Sequence, residues 1–154
     1  MINLIDKILL KDFVEFKGSI VELKERIRYK KERNFKLEWI SESEFKVLSK
    51  LSLGTLILDS NPNCFDGIKG YGKLIELENG NTKIDLKTKI RIELYFVTVI
   101  PLLAIIVSFL SNKEVPLWSI LLYPIIILWF WFVYRFQEKI LFNKVKKYIN
   151  FELK

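Results

Sequence analysis

"LYFVTVIPLLAIIVSFLSNKEVPLWSILLYPIIILWFWFVY", Leu94–Tyr134, decides how this chain is built. Its only formal charges, Lys113 and Glu114, sit in the short break "SNKEVP". Leu94–Leu110 precedes the break and Leu117–Tyr134 follows it, both free of charge. A helix crosses a bilayer with about 20 apolar residues, range about 17–25. Neither run has a polar stripe, so neither reads as an amphipathic surface helix. As core helices of a soluble protein both would need cover on every side, and the remaining charged chain cannot supply it. The sequence therefore predicts two transmembrane helices, about 92–111 and 116–134, with "SNKEVP" as the tip of a hairpin. Tyr95, Phe96, Trp118 and the closing "WFWFVY" place aromatic residues towards the ends of the runs, where headgroups favour them.

Charge sets the expected orientation. Lys87, Lys89 and Arg91 precede the first run, and Arg135, Lys139, Lys144, Lys146 and Lys147 follow the second. The tip holds one lysine. The positive-inside bias puts both termini in the cytoplasm of an inner-membrane protein with two spans. The start, "MINLIDKILLKDFVEF", is interrupted by Asp6 and Lys7 and does not read as a signal peptide. The spans hold no charged residue, which argues against a transporter acting alone. Pro101 and Pro124 fall near mid-span and are expected to bend their helices.

The 154 residues are 51% hydrophobic and 28% charged, with net charge +7. The charge lies outside the apolar block. Residues 1–91 carry 18 Lys/Arg and 14 Asp/Glu, and residues 135–154 carry 6 and 2. Ser19 and Glu22 form an S-x-x-E capping box, so a helix should begin near Ile20. Ile20, Leu23 and Ile27 share one face of it. "DFVEFK", "FKLEWI", "EFKVLS", "GTLILDS" and "IKGYGKLIELE" read as strands. "NG" at Asn79–Gly80 marks a hairpin into "TKIDLKTKIRI". There Ile84 and Leu86 oppose Lys83, Asp85 and Lys87.

The expected fold class is α+β. One helix packs on a mostly antiparallel sheet of five to six strands, followed by a transmembrane hairpin and a basic C-terminal helix. The boundaries read as 1–91, 92–134 and 135–154. Phe136, Ile140, Val145 and Ile149 give the last helix an apolar side. It can lie on the membrane surface or dock on the sheet, and the sequence favours neither.

No catalytic constellation emerges. The chain has no histidine and one cysteine, Cys64, so no intrachain disulfide or zinc-type ligand set is available. Cys64 lacks an imidazole base and reads as a free thiol. Asp59 and Asp66 flank its loop as turn residues. Gly67, Gly72 and Lys73 match G-x-x-x-x-G-K, but Leu74 follows where a phosphate loop needs Ser or Thr. These glycines read instead as a bulge or a close backbone approach. No cofactor is expected.

The basic stretch Lys24–Arg33 and the C-terminal lysines are candidate headgroup contacts: Arg26, Arg28, Lys30, Lys31, Lys144, Lys146 and Lys147. A solvated helix face is the plainer explanation of the same pattern. Glu93 and Arg135 should lie at one depth and are expected to pair across the hairpin neck. Membrane lipids are the expected partners, together with a protein partner or a second copy. Nucleic acid is disfavoured.

The layout of "GSIVELKERI", "GYGKLIELENGNTKIDL" and the two apolar runs resembles small bacterial membrane proteins. In those a cytosolic helix-plus-meander domain leads into a two-span hairpin. The resemblance implies no activity. The functional expectation is a non-enzymatic, membrane-anchored binding or adaptor module. The alternatives are a self-protection (immunity) protein against a toxin, or a subunit of a lipid-modifying enzyme.

Overall fold

The computed structural model describes residues 9–30, 35–49, 68–89, 91–111 and 116–153. The strand read in "GTLILDS", the loop with Cys64, Asp59 and Asp66, and the hairpin tip at 112–115 lie outside them. The layout is α+β. The strands are β1 (Lys11–Phe16), β2 (Phe35–Trp39), β3 (Glu44–Ser49), β4 (Lys69–Glu76) and β5 (Thr82–Thr88). The helices are α1 (Ile20–Tyr29), α2 (Ile92–Leu110) and α3 (Leu117–Lys147), with a final π-helical turn at Tyr148–Glu152. Two compact units result, Met1–Lys89 with Gln137–Lys154, and Ile90–Phe136.

In the first unit all five strands are antiparallel, in the order β1-β5-β4-β3-β2. Alternation sorts each strand. Val14 and Phe16, Phe45 and Val47, Leu74, and Ile84 and Leu86 point into one core, while Phe13, Lys73 and Lys87 stay exposed. The hairpin signal at Asn79–Gly80 becomes a three-residue connection. Gly80 N–H donates to the Leu77 carbonyl at 2.9 Å, and Leu77 N–H to the Asn81 carbonyl at 2.8 Å. Gly80 has φ +76°, the left-handed conformation that follows a type I turn in such loops. β4 and β5 then pair from Glu76↔Thr82 to Gly70↔Thr88.

α1 starts where its cap predicts. The Ser19 hydroxyl accepts from Glu22 N–H at 3.3 Å. Half of the capping box is used elsewhere, because the Glu22 carboxylate takes a 2.6 Å hydrogen bond from Arg26. Leu23 and Ile27 are buried against the sheet.

The sequence left the last basic stretch between membrane surface and sheet. In the structure it docks on the sheet. Leu141, Phe142, Val145, Tyr148, Ile149 and Leu153 belong to the same core as α1 and the inner strand residues. The boundary read at Arg135 falls inside α3, which is one 31-residue helix. No glycine or proline follows Pro124 to interrupt it.

The glycines of "GYG" make room for two rings, Gly70 for Phe142 of α3 and Gly72 for Phe45 of the neighbouring strand. A Cβ at Gly70 would lie 2.8 Å from Phe142 Cε1 and 2.9 Å from Val47 Cγ2. One at Gly72 would lie 2.2 Å from the Phe45 ring. Both glycines are therefore close-approach positions in a strand, and the rings of Phe142 and Phe45 occupy the space.

The second unit is α2 with the first part of α3. Both helices run through their prolines, Pro101 and Pro124. Each is long and apolar enough to cross a membrane. At 1.5 Å per residue, the 19 residues of α2 extend about 28 Å, close to a hydrocarbon core of about 30 Å. Most of their apolar side chains are uncovered, with Leu110 80% and Leu117 78% exposed, while a stripe that includes Val97, Pro101 and Ile105 is half-buried.

Candidate functional site

Three places hold the chemistry. The first is the neck of the helix pair. Arg91 precedes α2 and Glu93 lies in its first turn, where the helix dipole favours a carboxylate. Arg91 donates to Glu93 at 3.0 Å, both side chains being 11% exposed. The Arg91 guanidinium also lies 4.3 Å from the centre of the Tyr134 ring. The sequence reading pairs Glu93 with Arg135 and gives Arg91 and Tyr134 no part in the neck. Arg135 lies over the Trp131 ring at 5.7 Å. Deeper along the pair, the Tyr123 hydroxyl donates to the Thr98 carbonyl at 2.5 Å. The Thr98 and Ser108 hydroxyls bond back to the carbonyls of Leu94 and Ala104. Every one of these hydroxyls has a partner within the helices.

The second place is the helical layer over the sheet. There α1 meets the turn that follows α3. The Tyr148 hydroxyl donates to the Lys30 carbonyl at 2.7 Å. Arg26 donates to the Leu153 carbonyl and stacks 5.5 Å from the Phe16 ring. Arg26 thus fastens the chain end to α1, and Lys146 ties α3 to β1 through Asp12 at 2.5 Å. Arg28, Lys30, Lys144 and Lys147 are exposed, and Lys31 lies outside the described residues. The opposite face of the sheet is also charged. There Lys83 pairs with Asp85 at 3.1 Å, and Lys89 lies 4.2 Å from the Tyr71 ring centre.

The third place was not legible in the sequence. A groove of about 550 Å³ runs between α1 and β2. Lys24, Ile27 and Arg28 form the helix wall, and Leu37 and Trp39 form the strand wall. Ser41 and Glu42 close one end. Lys24 Nζ lies 5.5 Å from the Trp39 ring centre. Trp39 itself stacks edge-on against Phe45 at 5.5 Å, which fixes its ring. α1 and β2 are consecutive in the chain, but the groove exists only once both are docked on the sheet, so no local pattern announces it.

Beside the groove's strand, Glu38 is gripped by Lys36 at 2.8 Å and Lys46 at 3.1 Å. Hydrogen bonds from those two lysines hold its carboxyl below the ordinary carboxylate value. Among the described residues no three His, Cys, Asp or Glu side chains gather where they could hold a metal ion.

Comparison with known proteins found no matching family model, no matching characterised protein and no matching solved structure.

Proposed function

We propose that this chain is an integral membrane protein that presents a non-enzymatic binding module at the cytoplasmic face of the cell membrane. α2 and the first part of α3 are its two spans. One observation carries the reading. The chain before the first apolar helix and the chain after the second fold into one unit with one core. Two segments that share a core occupy one compartment, so an apolar chain that crosses the membrane between them crosses it twice. The uncovered apolar surface of the two helices supports placing them in lipid, since soluble proteins rarely leave so much exposed. Lysine and arginine on the folded side, against Lys113 alone at the tip, support a cytoplasmic module.

Three residues, 89–91, separate β5 from α2. They reach about 10 Å when extended, so the module works close to headgroups. Its partners are a protein at the membrane and the lipids around the spans. The test is mass spectrometry of the full-length protein extracted in native lipid discs. A stoichiometric protein partner supports the module. Lipids alone, with one species enriched, would point to the spans as the working surface and count against it.

A further inference from the structure

We propose that the groove between α1 and β2 binds an extended acidic peptide segment, which adds to the sheet as a strand alongside β2. This rests on reading the α+β unit as a binding module. Three observations meet here.

The first is the edge. β2 ends the sheet order, and among the described residues no strand pairs on its far side. The pairing register shows which backbone groups look outward. Ile40 N–H donates to the Glu44 carbonyl, so along β2 and β3 the even-numbered β2 residues exchange bonds with β3. Ser49, opposite Phe35, sends its N–H the other way, to the Ile68 carbonyl. The backbone groups of Phe35, Leu37 and Trp39 therefore point away from β3, to the side where no described strand pairs. Such an edge is a template for an incoming strand.

The second is charge. Lys24 and Arg28 both line the groove, facing the single carboxylate Glu42 at its end. Neither cation makes an ion pair with a described carboxylate. The third is spacing. Lys24 and Arg28 are one helical turn apart, about 6 Å along the axis. Alternate side chains of a strand recur about every 6.8 Å. Carboxylates at alternate positions of an added strand would meet the two cations in turn. Their methylene stems would lie on Ile27, Leu37 and Trp39.

The probe is a fluorescein-labelled, acetylated and amidated hexapeptide of alternating glutamate and valine. Its binding to full-length protein in detergent micelles is read by anisotropy. We expect saturable binding, weakened at least tenfold when lysine replaces glutamate in the peptide. The K24E/R28E double variant should reverse that preference. Methylating alternate backbone nitrogens of the acidic peptide should abolish binding, and this control leaves the protein untouched. Equal binding of methylated and unmethylated peptide overturns strand addition. Equal binding of acidic and basic peptides overturns the charge argument. Displacement of the peptide by phosphatidylglycerol vesicles, but not by phosphatidylcholine vesicles, would make the groove a lipid site instead. Failure of the peptide to bind while a partner protein is retained in native discs sinks the groove and leaves the module standing.

Discussion

Phe142 and Gly70 give the sharpest test of how the end of α3 joins the sheet. Phe142 is fully buried, and its ring fills the space a side chain at residue 70 would need. Phe142→Ala should cost about 3–5 kcal/mol, the range for truncating a buried aromatic ring. That is a large share of a domain's total of about 5–15 kcal/mol. Gly70→Ala sets a methyl 2.8 Å from Phe142 Cε1 and 2.9 Å from Val47 Cγ2. Carbon atoms prefer about 3.5–4.0 Å, so both neighbours must give way. Overpacking of this kind costs about 1–3 kcal/mol, partly offset by about 0.5–1 kcal/mol from removing a strand glycine. The two changes should not add. With the Phe142 ring gone, the new methyl enters the cavity and keeps only its contact with Val47. The double variant should be more stable than the sum of the singles predicts, by about 1 kcal/mol or more. Urea titration of full-length protein in detergent measures this. Trp39 becomes the sole reporter once Trp118, Trp129 and Trp131 are replaced by Phe. Additivity within about 0.3 kcal/mol would refute the packing of Phe142 on Gly70.

Other residues give smaller, independent tests. Tyr123→Phe removes the hydroxyl bonded to the Thr98 carbonyl and should weaken the helix pair by about 0.6 kcal/mol, at most about 1.7; unfolding in mixed micelles reads it, and a gain in stability would contradict the bond. Ser19→Ala removes the α1 cap and should cost about 0.5–2 kcal/mol in the same urea assay, whereas no change would mean another group satisfies Glu22 N–H. Glu38 should titrate below 4.5 by NMR, because Lys36 and Lys46 favour its charged form. A lowered folded value stabilises the fold above the unfolded value and is lost as pH falls through the folded one. Glu38→Gln should therefore lose stability at pH 6 but not at pH 2, by under about 1 kcal/mol given its exposure. A midpoint at or above 4.5 would contradict the lysine grip.

Local signals carried much of the fold. Alternation in "TKIDLKT" told which side of β5 is buried, Ser19 placed the start of α1, and Asn79–Gly80 placed the turn. These depend on neighbours within a few residues, where sequence pattern and geometry are coupled. Pairings across the chain were not legible. Nothing local says that β1 closes on β5, or that β2 is left at the edge. The C-terminal stretch shows the limit best. Its apolar side announces burial, but lipid and a sheet face reward the same pattern. The deciding residue is Gly70, whose bare backbone has a purpose only once Phe142 is seen against it. Arg26 and Lys146 looked like headgroup contacts because a basic residue advertises charge and not its partner. In the fold they hold Leu153 and Asp12. The groove shares this origin, since α1 and β2 make it only after β2 has taken its place at the sheet edge.

The central claim is a two-span hairpin with the α+β unit on the cytoplasmic side. Cysteine accessibility in intact cells tests it most directly. In a Cys64→Ser background, single cysteines replace Asn112 at the tip and Glu15 on β1, and a membrane-impermeant maleimide is added before or after lysis. The account predicts that cysteine 112 reacts in intact cells and cysteine 15 only after lysis, with both variants retained in membranes through alkaline extraction. Labelling of position 15 in intact cells, or release of the protein by alkali, would contradict it.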